Sequence, residues 1–208
     1  SAEYNILTNA FTVKVNPTTV IPKDIAPFYI GLKELKEKML LSGKVSGKLP
    51  LISAKDFNLT YGEDLELKAD GEISDFSNYQ TAQMKLVINT FRTTQDALRD
   101  FIRLGMPTYT TPEMMKPLGD IRLKGKVEGS LDKMNIQADA WTKRGAVQLT
   151  SIFSTDTTFQ NLSAKGKILT QNFNLRPFTA GLGRLSAWSV FDYSQSGTNK
   201  MSLKASRH

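Results

Sequence analysis

The densest group of acids in the 208-residue chain is Asp64, Glu66, Asp70 and Glu72, and general acid–base chemistry is what such a set could perform. Paired carboxylates do that work when one sits in an apolar pocket and the other stays ionised, so that their proton affinities separate. Here Asp64 belongs to a Gly62-Glu63-Asp64 turn, and the others alternate with Leu65, Leu67, Ala69, Gly71 and Ile73. That spacing puts the acids in a turn or on the water-facing side of a strand. Asp132 follows an alternating run and Asp96 stands at the start of a helical pattern, where turn and cap chemistry account for both. The single histidine is the last residue, His208, and there is no cysteine, so an imidazole base, a thiol nucleophile and a thiolate metal site have no residues to carry them. Gly181-Leu182-Gly183 is too short to cradle a phosphate, and Trp141 and Trp188 suit sheet rims or a core. The chain is expected to be non-enzymatic, with no cofactor and no metal.

The elements that hold these residues follow from the same alternation. From Leu41 the small or apolar residues Leu41, Gly43, Val45, Gly47 and Leu49 are interleaved with Ser42, Lys44, Ser46 and Lys48. One face is greasy and the other charged. Phe57, Leu59 and Tyr61 continue the pattern, and the Gly62-Glu63-Asp64 turn then leads into Leu65 and Leu67, a hairpin signal. Further strands are expected over Phe11–Val15, Met84–Thr90, Ile121–Leu131, Met134–Ala140, Ala146–Phe153, Leu162–Ile168 and Met201–Lys204. Their apolar faces carry Met84, Leu86, Ile88, Leu123, Val127, Leu131, Ile136, Val147, Leu149, Leu162 and Ile168. Gly43, Gly47, Gly125 and Gly129 fall on that apolar face, where glycine lets a sheet bend or another body approach the backbone.

Helical signals are few. Thr93 or Thr94 caps a segment in which Ala97, Leu98, Phe101 and Ile102 share one side, and Gly105 ends it; Leu98, Phe101 and Ile102 are expected to plug the mouth of the sheet. A second helix is expected after Asp24, with Pro27 in its first turn and Ile25, Phe28, Tyr29, Leu32 and Leu35 on one side. Thr111-Pro112 should open a short turn of helix that Pro117 stops. The fold class is therefore mainly β: a curled antiparallel sheet of repeated hairpins with one or two short helices packed on it.

Composition sets the scale and narrows the partners. A hydrophobic fraction of 40% supports a modest core, in one large β domain or two small ones. The formal charge of +7 is spread over lysines that recur singly, as at Lys44, Lys48, Lys124 and Lys126, without a stripe of stacking aromatics, so no nucleic-acid partner is expected. No apolar run has membrane-spanning length, and the chain opens on Ser1 without a secretory signal. It is expected to be an excised segment or a mature form, with any membrane association residing in flanking segments.

The chain also repeats itself. Leu41-Ser-Gly-Lys-Val-Ser-Gly-Lys-Leu49 returns as Leu123-Lys-Gly-Lys-Val-Glu-Gly-Ser-Leu131, each copy leading into a strand with Asn58 or Asn135, and Leu182-Gly183-Arg184-Leu185 echoes Leu118-Gly119-Asp120-Ile121. One elongated domain over 1–208 is expected, built of units near 39–117 and 118–178 with a partial third at 179–208. These strands, with Pro22-Lys-Asp-Ile-Ala-Pro-Phe28, Phe57-Asn-Leu-Thr-Tyr-Gly62 and Leu169-Thr-Gln-Asn-Phe-Asn-Leu175, resemble the TamB/AsmA-like family of translocation and assembly modules in its Bacteroidetes form, as an internal segment. The resemblance covers most of the chain. It implies a half-pipe or β-taco-like fold in a periplasmic protein tethered to the inner membrane, acting in phospholipid transport and outer-membrane biogenesis. The stretch 93–117, rich in helix and loop, departs from the family pattern.

Physical reasoning points to lipid as well. An acyl chain about 15 Å long, half of a roughly 30 Å hydrocarbon core, covers about three strands at ~4.8 Å spacing. A face of Leu, Val, Ile, Phe and Met offers it an apolar surface without directional polar groups. A closed β-sandwich requires the same alternation, so the pattern leaves open groove and closed core as alternatives. The expected partner is phospholipid or another acyl-chain lipid held in the groove; the other function class is a structural or chaperone-like module that captures outer-membrane protein strands at its edges.

Overall fold

In a computed structural model of the chain the alternating segments form one twelve-stranded antiparallel sheet whose strands neighbour each other in sequence order. The structure describes residues 1–5, 9–27, 30–75, 81–105, 107–113, 115–130, 132–156, 161–176, 183–196 and 200–207. The strands are β1 (Ala2–Asn5), β2 (Ala10–Val20), β3 (Met39–Lys48), β4 (Leu51–Tyr61), β5 (Leu65–Ser74) and β6 (Gln83–Thr93), then β7 (Ile121–Ser130), β8 (Lys133–Thr142), β9 (Gly145–Thr155), β10 (Asn161–Asn174), β11 (Arg184–Ser196) and β12 (Lys200–Arg207). The sheet is curled and does not close: β1 and β12 each pair on one side only among the described residues. The two glycine–lysine copies occupy β3 and β7, and three further strands follow each before the next long connection.

Curl has a local cause. A β-bulge puts two residues opposite one, which bends the strand and increases its twist. Pairing slips between Val15 and Thr18 on β2, Ser42 and Lys44 on β3, Ala54 and Phe57 on β4, and Ile88 and Phe91 on β6. It slips again between Thr170 and Phe173 on β10. Asp56 and Asn172, within two of these slips, have left-handed φ values of +53° and +51°. From β7 to β10 the registers run without interruption.

Helices collect at one end of the sheet. The helix α1 is a single turn, Pro22–Ile25, and a 3-10 turn follows at Ile30–Glu34. The continuous helix expected after Asp24 is therefore replaced by two short pieces, Pro22 occupying the first helical position in place of Pro27; Phe28 and Tyr29 lie outside the described residues. Helix α2 spans Gln95–Gly105, and Thr94 caps it by accepting the Ala97 N–H through Oγ1 at 3.3 Å. Near Pro112 the expected helical turn is displaced: the 3-10 turn is Lys116–Leu118, with Pro117 inside it. No helix among the described residues is long and apolar enough to cross a membrane.

The buried core is small and sits under α2. Leu35, Tyr61, Leu65 and Ala97 form it, with Leu32, Met39, Leu59, Leu67, Phe91, Phe101 and Leu104 packed around them. The Tyr61 and Phe101 rings meet edge to face, 5.2 Å between centroids, and Tyr61 Oη accepts the Lys36 N–H at 2.9 Å. The stripe of α2 on the sheet is thus Ala97, Phe101 and Leu104. Of the expected plug residues, Leu98 and Ile102 are half-buried on the flank of that stripe. The chain exposes 13653 Å², against about 9,700 Å² for a compact monomer of this mass. The excess is what a sheet leaves when one face is not covered.

Candidate functional site

Cross-strand registers assemble the alternating residues into continuous rows. One row runs Leu41, Leu59, Leu67, Phe91, Leu123, Ala140, Val147, Thr170 and Ala187 across β3 to β11. A second, towards the other strand ends, runs Val45, Ala54, Gly71, Leu86, Val127, Ile136, Ser151, Gly166 and Phe191. Between them lie Phe57, Ala69, Ile88, Gly125, Ala138, Leu149 and Ile168. From β2 to β11 this face carries no Asp, Glu, Lys or Arg among the described residues, in a chain with 27 basic and 20 acidic residues. Its polar groups are mainly hydroxyls, such as Thr93, Thr142, Ser151 and Thr155.

The groove candidates fall into two regions. Leu59, Leu65 and Leu67 are packed beneath α2 and Leu35, Leu65 being 4% exposed, so they belong to the helix–sheet core. Leu41, Val45, Phe57, Met84, Ile88, Leu123, Val127, Ile136, Val147, Leu149, Leu162 and Ile168 are half-buried on the same face, and Leu86 is exposed there. Leu49 is in the turn after β3 and 62% exposed, because the strand ends at Lys48; it is not a groove residue. Leu131 lies outside the described residues. The face also recruits residues that were not singled out: Phe11, Met134, Phe153, Phe191 and Tyr193 align in its rows. Phe153 and Met134 ended recognisable strands, whereas β11 is apolar on both sides, with Trp188 and Val190 opposite Phe191 and Tyr193, so its alternation is invisible.

Glycines on this face stand where neighbouring chain comes close. A Cβ on Gly125 would lie 2.8 Å from the Gln137 carbonyl oxygen, and one on Gly47 would meet Leu51 O and the Phe11 ring, both at 2.9 Å. Gly43 and Gly129 have φ of +153° and +129°, a region other residues rarely enter. Phe11 over Gly47 and Phe191 over Gly166 fill the space that the missing side chains leave.

Charge is confined to the opposite face. Lys55 pairs with Glu72 at 3.4 Å, Lys68 with Glu66 at 2.8 Å, Lys165 with Asp192 at 3.1 Å, and Lys126 with Glu128. The expected solvated strand acids are therefore in salt bridges, except Asp70, which has a structural role. Its carboxylate accepts the Asp56 N–H and the Asn89 amide, each at 2.9 Å, and so joins the bulge of β4 to that of β6 across β5. The Asp56 N–H first and the Asn89 amide second hold its pKa below the usual carboxylate range. Trp141 stands on this face opposite Arg122, and Lys167 Nζ lies 4.6 Å from the Trp188 ring.

Chemically, such a surface can remove apolar matter from water without selecting its orientation by hydrogen bonds. Among the described residues no three His, Cys, Asp or Glu side chains gather as metal ligands would. Comparison of the chain with protein-family models, with curated proteins and with solved structures gives no match.

Proposed function

We propose that the chain is a non-enzymatic segment of a periplasmic lipid-transport or envelope-assembly protein of the TamB/AsmA-like kind, tethered to the inner membrane in its full-length form, whose apolar trough holds phospholipid acyl chains. The observation that carries this is the uncharged face spanning β2 to β11, most of it half-buried rather than sealed. A packed sandwich of this length would bury many of these side chains; among the described residues few apolar side chains are buried, and those that cluster do so at the helical end. The stretch β7 to β11, away from α2, spans about 19 Å of strand spacings, enough to lay one acyl chain of about 15 Å across it. Exposed patches of this extent mark interaction surfaces.

Photo-crosslinking in bacterial cells tests the reading. A crosslinker at Val127, Ile136 or Leu149 should capture lipid, and one at Lys126 or Gln137 on the reverse face should not. Equal lipid capture from both faces, or none from either, refutes it. The second function class draws on a separate observation: Ser1 and β1 cover only Ala10–Lys14 of β2, leaving Val15–Val20 on the sheet edge among the described residues. Crosslinkers at Thr18 or Thr19 that trap unfolded outer-membrane protein strands, with the inner face silent, favour strand capture.

A further inference from the structure

We propose that the reverse face of the sheet carries a docking site, centred on Arg122 and Trp141, for an acidic peptide segment of a partner protein. It lies across the sheet from the trough and does not rest on what the trough holds. Cross-strand registers line up Glu66, Arg92, Arg122, Trp141 and Ala146 from β5 to β9. All five alternate with trough residues, Leu67, Phe91, Leu123, Ala140 and Val147, so they share the reverse face. Two clefts open on this row, of about 610 Å³ and 510 Å³, and Arg122 and Trp141 line both. Arg92, Lys124 and Glu66 also line the larger cleft, and Lys143 and Asp120 the smaller.

Charge is out of balance there. Arg92 and Arg122 stand directly opposite each other, a like-charge pair that weakens a sheet until something neutralises it. Glu66, on the far side of Arg92, is engaged by Lys68 at 2.8 Å, and Arg92 itself donates to the Glu63 carbonyl at 3.5 Å. Among the described residues Arg122, Lys124 and Lys143 form no salt bridge, although Asp139 stands opposite Lys124; Lys55, Lys126 and Lys165 of the same face are each paired with an acid. Lys14 and Lys44, which are also opposed, share their cleft with Glu3 and Asp56. Trp141 adds an apolar contact: between Arg122 and the small Ala146 it is left 42% exposed. Tryptophan and arginine are the side chains that most often dominate binding at protein interfaces, and a guanidinium takes a carboxylate through two parallel hydrogen bonds. Arg92, Arg122, Lys124 and Lys143 spread over two strand spacings, about 10 Å, and alternate acids of an extended segment lie about 7 Å apart, so the group can meet several carboxylates at once. An acidic segment with an apolar residue among its acids is complementary to this surface in both charge and polarity.

Fluorescence anisotropy of a fluorescein-labelled Glu-Asp-Phe-Glu-Asp-Leu-Glu-Asp peptide measures binding to the full chain. One control peptide has Gln and Asn in place of the acids, and another has Ser in place of Phe and Leu. At low salt the acidic peptide should bind about tenfold or more tightly than the amide control, and potassium chloride should erase the difference. Arg92→Ser with Arg122→Ser should weaken it about tenfold, and Trp141→Ser about threefold to tenfold while leaving the serine control unchanged. Lys14→Ser with Lys44→Ser, which removes the same charge elsewhere, should change binding by less than about twofold. All these side chains are exposed, so the variants should melt with the parent; if the arginine double variant does not, Arg122→Gln alone should still weaken binding about threefold. An unbound acidic peptide, one bound no more tightly than the amide control, or equal weakening by the two double variants overturns the site. So does binding of phosphatidylglycerol vesicles through the same arginines with the peptide unbound, which would make this face a membrane contact. None of these outcomes touches the trough reading, which is tested on the other face.

Discussion

Phe101→Ala separates a helix that is ordinary core from one that covers the trough. Phe101 is half-buried, stands edge to face on Tyr61, and packs against the buried cluster of Leu35, Tyr61, Leu65 and Ala97. Fully burying a phenylalanine contributes about 1.5–3 kcal/mol, so half of that is about 1–1.5 kcal/mol, and the aromatic pair adds about 0.5–1.5 kcal/mol. The expected loss is about 1–3 kcal/mol, below the ~3–5 kcal/mol of truncation in a rigid core. Because Leu59, Leu67 and Phe91 of the sheet lie against this cluster, a loosened α2 uncovers them, and uptake of a fluorescent fatty acid should rise. Urea unfolding gives the stability change, and amide exchange over Gln95–Gly105 reports whether the helix itself loosens. A loss above about 4 kcal/mol with unchanged uptake would refute the covering role and identify α2 as fixed core.

Other substitutions test the two faces and the bends. Val127→Asp places a carboxylate between Leu86 and Ile136 and should cost about 2–3 kcal/mol or abolish lipid retention, whereas Lys126→Asp on the reverse face should be mild; equal small effects in thermal melts and lipid extraction would show the face assignment to be wrong. Gly166→Ala brings a Cβ within 2.2 Å of the Thr150 carbonyl oxygen and should cost about 1–3 kcal/mol, while Gly71→Ala, whose nearest neighbour is 3.7 Å away, should cost under about 1 kcal/mol in the same melts. Asp70 contributes stability that is present above the ordinary carboxylate pKa of about 3.9 and is lost as pH falls through its lowered folded value. Asp70→Asn should therefore be less stable at neutral pH, by about 1 kcal/mol given its exposure, and should flatten the acid limb of the stability curve; an acid limb identical to that of the parent would refute the staple between the β4 and β6 bulges.

Much of the architecture is written locally. Side chains of a strand alternate whatever its neighbours, so the spacing of Leu41, Val45, Leu65, Leu67, Leu123 and Val127 was enough to assign the apolar face, and the Gly62-Glu63-Asp64 turn to place a hairpin. The cap at Thr94 and the end at Gly105 likewise follow from the helix's own chemistry. Other features are set by pairing between distant segments. Whether Asp56, Asn89 and Asn172 lie at bulges depends on the residues opposite them, and β11, apolar on both sides, acquires its facing only from its register with β10. The same holds for α2, whose contact stripe is Ala97, Phe101 and Leu104 because the sheet meets it there, and for Leu49, which the end of β3 at Lys48 leaves in a turn. Open trough and closed sandwich require the same alternation, since alternation fixes only which side is apolar; what covers that side is decided by where the rest of the chain goes, and among the described residues α2 and Leu35 go to one end and β7 to β11 are left largely uncovered.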